Sequence, residues 1–493
     1  MIAWMVLVLG AALAADTPPA AAPAPEPAAA PAPAPDAPDR SGPPPVEAPV
    51  PMKLPEPVVW QVSPGVRAEV VTVPGVRKVS GAVWLGRGCL DLDGTVTDAC
   101  VMTGALQDVA TVDYDSDALE IAEDLDDTSV TSTEFGLRRA AISFETPHEK
   151  LLTGLGLLTE VIRSPTFPGR EVRQGCLQRS YWFTTQGPAD LQSVAGQLMT
   201  YGWYPEDSPW GPRPDPLATI RIKPRDLRDR YGRLLAQAPI TVMLVGDVER
   251  ADVQDALAKA FAGVGVAGDK APDPPFQPTP GTRVLAADMP GQAQAVVMVR
   301  TDAPGRGDAD RLAFKVVDWA LGGHFLSRLN ANLREDKGYT YGAGSRYAIH
   351  ETHGTWTARA TVKSENLGAS ITEIGKEIAR ARDGGLRADE IDGAWKEWVG
   401  NWNTVQQTSN SAFQFYGHLS ECGRSLDRAR AELDTVEAMK PETTEAVARK
   451  WLAADGPWLW VVVGDRKEIE PQLKAQGLDV TWVSPQNAVT GAF

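Results

Sequence analysis

Two long apolar runs, each closed by a Gly-Asp pair, mark corresponding points in the chain. Residues 240–247 read ITVMLVGD and residues 458–465 read WLWVVVGD. Continuous apolar runs of this length before a turn signal predict buried strands. Helically spaced apolar residues follow each run, at Leu257 and Phe261 in one case and at Ile469 and Leu473 in the other. The same strand–turn–helix unit therefore occurs twice, with Gly246 and Gly464 218 residues apart.

Earlier elements keep nearly the same offset. An apolar strand pattern at residues 141–146 precedes a helical pattern that stops at Ser164-Pro165, and one at residues 358–362 precedes a helical pattern that stops at Gly384-Gly385. Proline and glycine at such positions are ordinary helix stops. Repetition at one offset predicts a duplicated domain. Because strands cluster in short meanders and helices come in runs, the expected class is α+β.

The two copies define the expected domain limits. The first domain covers residues 58–267 and the second covers 283–485, with a Pro-rich linker at 268–282 and a short tail at 486–493. Residues 16–57 contain 16 of the 40 prolines. A segment of this composition cannot continue a helix and has little to bury, so it is predicted to be a disordered tether.

The first 15 residues have the pattern of a secretory signal. An apolar run from Ile2 to Leu13 ends in Ala12-Leu13-Ala14, a small-x-small cleavage pattern. The sequence therefore predicts export to the periplasm or beyond, with an unprocessed hydrophobic N-terminus as the alternative. No other stretch is apolar for long enough to predict a membrane span.

Charge and motif content exclude several classes of function. The formal net charge is −16, which argues against nucleic acids and anionic membranes as partners because both need a basic face. Neither a Gly-rich phosphate loop nor a G-x-S-x-G elbow follows a predicted strand. Nucleotide chemistry and α/β-hydrolase chemistry are therefore poor hypotheses.

One segment carries a family resemblance. Residues 321–329 read LGGHFLSRL and residues 333–341 read LREDKGYTY. This order resembles the second-domain signature of the pitrilysin/insulinase family of zinc peptidases, and the resemblance extends over roughly residues 58–485. It implies two homologous domains, each a mainly antiparallel sheet packed against helices, that together form half of a clamshell. In the shorter members of the family, two subunits make one chamber, and often only one of them carries zinc.

The zinc motif of active members is absent. The resemblance places its inverted His-x-x-Glu-His helix on Cys100, Thr103 and Gly104, and its later glutamate ligand near Ser180. The motif needs two histidines four residues apart and a general base between them. Thr103 and Gly104 cannot supply the base and a ligand, so the resemblance implies a non-catalytic member without a bound metal or other cofactor.

A substrate-positioning pair of the family has counterparts in this chain. Active members use an arginine and a tyrosine seven residues later, and this spacing gives Arg334 and Tyr341. Arginine can hold a peptide carbonyl, and a tyrosine hydroxyl can stabilise an oxyanion. The alternative is that Arg334 is a surface helix residue and that Tyr341 packs in the sheet.

Four cysteines, at positions 89, 100, 176 and 422, allow disulfides in an exported protein. Because zinc bridges the two corresponding helices in the family, the resemblance suggests a Cys100–Cys176 disulfide in its place. A Cys89–Cys100 link is the second hypothesis, and buried thiols are the third.

The leading functional hypothesis is that the chain, inactive alone, is the zinc-free partner subunit of an exported two-chain peptidase. Its expected partners are a zinc-bearing subunit of the same family, in a heterodimer, and an unfolded peptide substrate. The alternative is an inert scaffold or peptide-binding module of an envelope complex. A third hypothesis is an active metallopeptidase with unorthodox ligands.

Overall fold

The computed structural model describes residues 48–89, 98–136, 139–268 and 273–493. The predicted signal at 1–15, residues 16–47 of the tether and residues 269–272 of the linker lie outside these ranges.

The first half contains one six-stranded sheet with the order β1-β2-β6-β3-β5-β4. Its neighbouring strands are antiparallel except for the parallel pair β2 and β6. The strands are β1 Val58–Ser63, β2 Val66–Thr72, β3 Lys78–Leu85, β4 Ser129–Phe135, β5 Ala140–Pro147 and β6 Ile240–Gly246.

The second half repeats five strands of this plan in a sheet with the order β12-β7-β11-β8-β10-β9, and its edge strand β12 differs from β1 because it comes last in its half and pairs parallel. Its parallel pairs are β12–β7 and β7–β11, and the other three pairs are antiparallel. The strands are β7 Arg283–Asp288, β8 Gln294–Ala303, β9 Thr340–Ile349, β10 Gly354–Lys363, β11 Leu459–Gly464 and β12 Val480–Val483. The predicted α+β class and the mainly antiparallel character of both sheets are confirmed.

Helices cover both sheets. Those of the first half are α1 Asp98–Leu106, α2 Ser116–Leu125, α3 Leu151–Arg163, α4 Gly169–Tyr181, α5 Leu191–Trp203, α6 Pro224–Gln237 and α7 Arg250–Ala260. Those of the second half are α8 Arg311–Asp318, α9 Leu367–Gly384, α10 Ala388–Thr404, α11 Ser409–Glu421, α12 Leu426–Glu437, α13 Pro441–Trp451, α14 Arg466–Ala475 and α15 Pro485–Thr490.

Shorter helical turns connect these elements. They are His148–Lys150, Trp182–Gln186, Gly187–Ala189, Pro216–Thr219, Trp319–Gly323, Arg328–Asn330, Ala331–Asp336, Ser364–Asn366 and Val405–Gln407. Within the described ranges, no helix is both long and apolar enough to cross a bilayer.

The two halves each lend a helix to the other. Helix α5 packs its buried residues Leu198 and Trp203 against the second sheet, in one apolar cluster with Leu285 of β7 and Val461 of β11. Its close approach depends on Gly202, where an added Cβ would lie 2.5 Å from a methyl carbon of Leu285. Such close approach needs a residue without a side chain.

The reciprocal contact comes from α11. Its residues Phe413 and Tyr416 share a core cluster with Ala82 of β3 and Met243 of β6. Phe413 also stacks on Trp84, with ring centroids 6.1 Å apart. Because α5 and α11 occupy corresponding places in the two copies, each half completes its core with a helix of the other.

The end of the predicted tether is ordered. The indole of Trp402 donates to the carbonyl of Met52 at 2.7 Å, the hydroxyl of Tyr416 donates to the carbonyl of Pro55 at 2.7 Å, and Leu54 is 3% exposed. The prediction that the disordered tether extends to residue 57 is therefore wrong for residues 50–55, because this stretch finds backbone hydrogen-bond partners and one apolar pocket on α10 and α11. We refer to residues 50–55 as the strap.

The C-terminal tail contains a helix, which the sequence did not predict. Residues 485–490 form α15, which begins at Pro485 with the Ser484 side chain as its N-cap. Ala488 and Val489 are fully buried against α5 and the second sheet. A short amphipathic stretch after a proline carries little periodicity in sequence, so the tail was not predicted as a helix.

Candidate functional site

Helices α1 and α4, onto which the zinc motif aligns, pack against each other. An added Cβ on Gly175 of α4 would lie 2.9 Å from the Met102 methyl group of α1. The helices that carry Cys100, Thr103, Gly104 and Ser180 are thus neighbours, as the family resemblance implies. What differs is the chemistry of the side chains between them.

Cys100 is joined to Cys89, and the Cys100–Cys176 disulfide hypothesis is contradicted. The Cα atoms of Cys89 and Cys100 lie 5.8 Å apart, within the range that a disulfide spans. Cys176 is instead 1% exposed in the apolar core beside α1. Burial, and to a lesser degree the charge of Asp98, raises the pKa of its thiol, so it remains protonated at neutral pH.

The other three positions onto which the zinc motif aligns are also unable to bind a metal, because each is already engaged in hydrogen bonding or packing. The Thr103 hydroxyl donates to the carbonyl of Ala99 in its own helix at 2.8 Å, and the Ser180 hydroxyl donates to the carbonyl of Pro216 at 3.0 Å. At Gly104 the space for a side chain is taken by Phe135 of β4, whose Cβ would lie 2.3 Å from a Cβ at position 104.

A buried polar network that the sequence did not predict lies beside these positions. The Asp98 carboxylate, 9% exposed as a residue, accepts a hydrogen bond from Arg179 Nε at 2.9 Å and one from the Thr219 hydroxyl at 2.5 Å. The backbone N–H of Asp215 donates to the same carboxylate at 3.1 Å. The only sequence signal is an acidic residue in the first turn of α1, a common placement that favours helix formation and points to no particular partner.

These residues do not fit a zinc ion. A hydrolytic zinc site needs three ligands and an open position, with a thiolate, imidazole or carboxylate as ligand. Here one position is a disulfide sulfur, two are hydroxyls with partners and one is a glycine. Across the described ranges, no group of three or more His, Cys, Asp or Glu residues is placed to hold a metal.

The second candidate region is an open groove on the second sheet, with a volume of about 780 Å³. Arg334 and Tyr341 both line it. The Tyr341 side chain is 91% exposed, so the alternative in which it packs in the sheet is wrong. The Arg334 guanidinium lies over the Phe325 ring at 4.6 Å and pairs with Glu335 at 3.3 Å. The structure therefore brings the predicted pair to one surface, whereas their role stays a prediction.

The turn that carries the LGGHF segment shapes this groove. His324 stacks on Trp319 with ring centroids 3.7 Å apart, and its Nδ1 lies 2.8 Å from the carbonyl oxygen of Trp319. An added Cβ on Gly322 would lie 2.4 Å from the backbone nitrogen of Ser345, so only glycine lets the turn approach β9 this closely. The family signature is thus a packing requirement of the groove wall.

Comparisons with known proteins agree with this architecture. Residues 221–397 match the model of a family described as the peptidase M16 inactive domain. A peptidase M16 inactive domain from Pseudomonas fluorescens is similar in structure with a TM-score of 0.73 and 18% identity, over 83% of this chain and 98% of that chain. A protease from Helicobacter pylori gives 0.70 and 16%, over 83% and 100%.

A third similar structure belongs to a longer protein. The periplasmic protease PqqL from Escherichia coli gives a TM-score of 0.68 and 14% identity, over 85% of this chain and 46% of that chain. No curated protein sequence matches the chain significantly. At these identities the structural likeness shows the fold.

Proposed function

Because residues 221–397 match the peptidase M16 inactive-domain family and the chain shares the fold of such domains, we propose that it is the zinc-free subunit of a two-chain peptidase of the pitrilysin (M16) type. In this proposal a zinc-bearing subunit of the same family supplies the hydrolytic centre. This chain supplies part of the chamber wall and holds the substrate peptide with Arg334 and Tyr341. Alone, it is inactive.

The observation that carries the proposal is a contrast between two regions. The positions expected to hold zinc are closed by a disulfide, by hydrogen bonds and by the Phe135 ring. The positions expected to hold substrate, Arg334 and Tyr341, line an open groove. A chain that retained its fold only as a scaffold has no need for an arginine and an exposed tyrosine in one open groove.

The chemistry of the pair suits a peptide bond under attack. A guanidinium presents a rigid fork of donors to a carbonyl oxygen, and a phenolic hydroxyl can donate to the oxyanion that forms. Both groups act by hydrogen bonding, and neither forms a covalent bond with the substrate. They can therefore serve a reaction centre that another subunit holds.

Export is the second part of the proposal. The N-terminal pattern of residues 1–15 is that of a secretory signal, and the structurally similar PqqL is described as a periplasmic protease. We place the assembled peptidase in the periplasm. Fractionation of cells that carry the full chain with a C-terminal tag tests this, and a full-length cytosolic product would contradict it.

The central experiment reconstitutes the pair. The purified chain is mixed with a zinc-bearing M16 subunit from the same genome, and cleavage of an unfolded protein is followed. Arg334→Ala and Tyr341→Phe should each lower kcat/KM by roughly 10- to 1000-fold, the range for removal of one oxyanion donor. Tyr181→Phe, at an exposed tyrosine of α4, is the matched control and should leave kcat/KM unchanged.

Two results would overturn the proposal. One is a pair that forms and cleaves with unchanged kcat/KM in both groove variants. The other is that no zinc-bearing subunit ever associates, while the chain alone still binds peptides. The second result would favour the alternative function, a peptide-binding module that uses the same groove without cleavage.

A further inference from the structure

The floor of the groove is set by strand register. Thr357 of β10 pairs with Arg300 of β8 on one side and with Arg346 of β9 on the other. Directly paired residues of antiparallel strands point to the same face. Arg359, two residues further along β10, points to this face as well. Three arginines thus share one face, and all three line the groove.

The spacing of the three arginines is compatible with the side-chain spacing of an extended peptide. Neighbouring strands lie about 4.8 Å apart, so Arg300 and Arg346 arise about 10 Å apart on the outer strands of the three. Side chains on one face of an extended peptide repeat about every 6.6 Å. Because guanidinium groups reach several ångströms from their backbone, alternate carboxylates of one peptide strand can meet these arginines.

None of the three arginines has an acidic partner within the described part of the chain. Arg300 donates to the Thr357 hydroxyl at 2.8 Å, and Arg359 donates to the Gln192 side chain of α5 at 2.5 Å. Elsewhere, comparable arginines are neutralised, as Arg328 is by Glu390 at 2.6 Å. Burial lowers the pKa of Arg300, yet arginine stays charged at neutral pH, so its charge lacks a counterion.

The charge of this groove is opposite to that of the protein. The chain has 64 acidic and 48 basic residues, whereas no carboxylate is among the described residues that line the groove. On the same face of β8, the next residue after Arg300 is acidic, Asp302. Burial raises the pKa of Asp302 to about 6, and it faces a separate cavity beside His353.

The fold does not require an arginine at the position of Arg300. Trp84 of the first sheet corresponds in position to Arg300 of the second. Trp84 pairs with Ala141 and Thr241 on the neighbouring strands. Arg300 pairs in the same way with Thr357 and Leu459. The position occupied by Arg300 in the second sheet is therefore occupied in the first sheet by the Trp84 indole, which stacks on Phe413. Since an apolar side chain satisfies the same architecture at this position, the fold does not account for the arginine at position 300.

We propose that this groove binds an extended peptide segment with acidic side chains, whose carboxylates pair with Arg300, Arg346 and Arg359. Tyr341 and Arg334 line the same groove, so the acidic segment lies beside the bond to be cleaved. The peptide-binding part stands on the groove alone. The consequence that the assembled peptidase prefers acidic substrates rests on the proposed function. The net charge of −16 disfavours a nucleic acid as the occupant, since a long polyanion would meet repulsion outside the groove.

The binding test uses the full chain and three fluorescein-labelled dodecapeptides of glycine and serine with four variable positions. These positions hold aspartate, asparagine or lysine. Fluorescence anisotropy at low salt should give a Kd for the aspartate peptide at least about 5-fold lower than for the asparagine peptide, because a carboxylate forms charge-assisted hydrogen bonds with arginine that a neutral amide cannot form. The lysine peptide should bind more weakly still.

Variants locate the effect. Arg346→Gln and Arg359→Gln, at exposed positions, should each raise the Kd of the aspartate peptide about 5- to 10-fold and leave that of the asparagine peptide unchanged. Arg225→Gln, at an exposed arginine of α6, is the control. Equal binding of the aspartate and asparagine peptides, or an effect as large in Arg225→Gln, would overturn the proposal.

The reconstituted pair separates this inference from the proposed function. If cleavage depends on Arg334 and Tyr341 but is equally fast for aspartate and asparagine substrates, the acidic preference is wrong and the partner role stands. If the chain binds the aspartate peptide through Arg346 but no subunit gains activity from it, the partner role is wrong and the binding site stands.

Discussion

Phe135 occupies the place that the side chain of residue 104 would need. A Cβ on Gly104 would lie 2.3 Å from the Phe135 Cβ and 2.6 Å from its Cγ, both closer than real Cβ contacts allow. Position 104, onto which the family resemblance places a zinc ligand, is therefore closed to a side chain by the packing of β4 on α1. Restoring a ligand means rebuilding the core around it.

This contact predicts a stability effect. Gly104→Ala should lower the free energy of unfolding by about 1–2 kcal/mol, because the cost of overpacking exceeds the gain in helix propensity. Gly156→Ala in α3, where an added Cβ meets nothing within 4 Å, is the control and should be neutral or stabilising by up to about 1 kcal/mol. Urea unfolding measures both. Equal effects at the two sites would contradict the packing argument.

The Cys89–Cys100 disulfide predicts a second effect. It closes a short loop, since the two cysteines are 11 residues apart, and chain entropy alone gives it about 3 kcal/mol of stabilisation. Cys89→Ser should lower the free energy of unfolding by roughly this amount, and Cys422→Ser should have little effect. Peptide mapping without reductant should recover the two cysteines in one linked fragment; alkylation of Cys100 would show the assignment to be wrong.

His353 predicts a pH dependence. Burial, together with the neighbouring His350, lowers the pKa of His353 to about 3. The groups around these imidazoles are Asp273, Arg306 and Arg300. A base with a lowered folded-state pKa binds fewer protons when folded, so its contribution to stability is complete above about pH 6.5 and is lost as the pH falls toward 3.

His353→Gln removes this titration. Between pH 6.5 and pH 5 the native protein should lose about 1–2 kcal/mol more stability than the variant, since the limiting slope for one group is about 1.4 kcal/mol per pH unit. Urea unfolding at several pH values measures the difference, and shared contributions such as that of Asp302 cancel. Parallel stability curves would mean that His353 is not buried as a neutral group.

The strap predicts a contrast between neighbouring positions. Leu54→Ala should lower the free energy of unfolding by about 2–4 kcal/mol, because Leu54 is 3% exposed in the core beside α11. Val50→Ala should change it by less than about 0.5 kcal/mol, because the Val50 side chain is 76% exposed and only its carbonyl is held, by Asn403. An equally small loss of unfolding free energy in both variants would mean that the strap is held by its backbone alone.

The repeat in the sequence was enough to predict the α+β class, because buried strands such as 240–246 and 459–464 have a strong periodic signal. The partners of α5 and α11 could not be predicted. An amphipathic helix has an apolar face in the sequence, but nothing in that face says which sheet will cover it. The order of the strap could not be predicted either. Its hydrogen bonds use backbone groups, which do not depend on residue type, and one buried leucine, Leu54, gives no periodic signal.

For the candidate site, the residue types at the aligned positions were enough to predict that the zinc motif is absent. They did not predict which contacts occupy those positions instead. Asp98 and Arg179 are 81 positions apart in sequence, and their pairing depends on how α1 and α4 pack. The arginine face was missed for a similar reason. Arg300, Arg346 and Arg359 lie on three strands, and only the register that joins them shows that they share a surface.

The exchange of α5 and α11 has a consequence for synthesis. The first sheet is complete at residue 246, yet the helix that covers its second face ends at residue 421. At about 5–20 residues per second, the ribosome needs roughly 10–35 s to make the intervening chain. During that interval Ala82 and Met243 have no cover, so the nascent first half is an aggregation-prone client for chaperones. The export proposed above would benefit from this delay, because translocation requires a chain that has not yet closed its core.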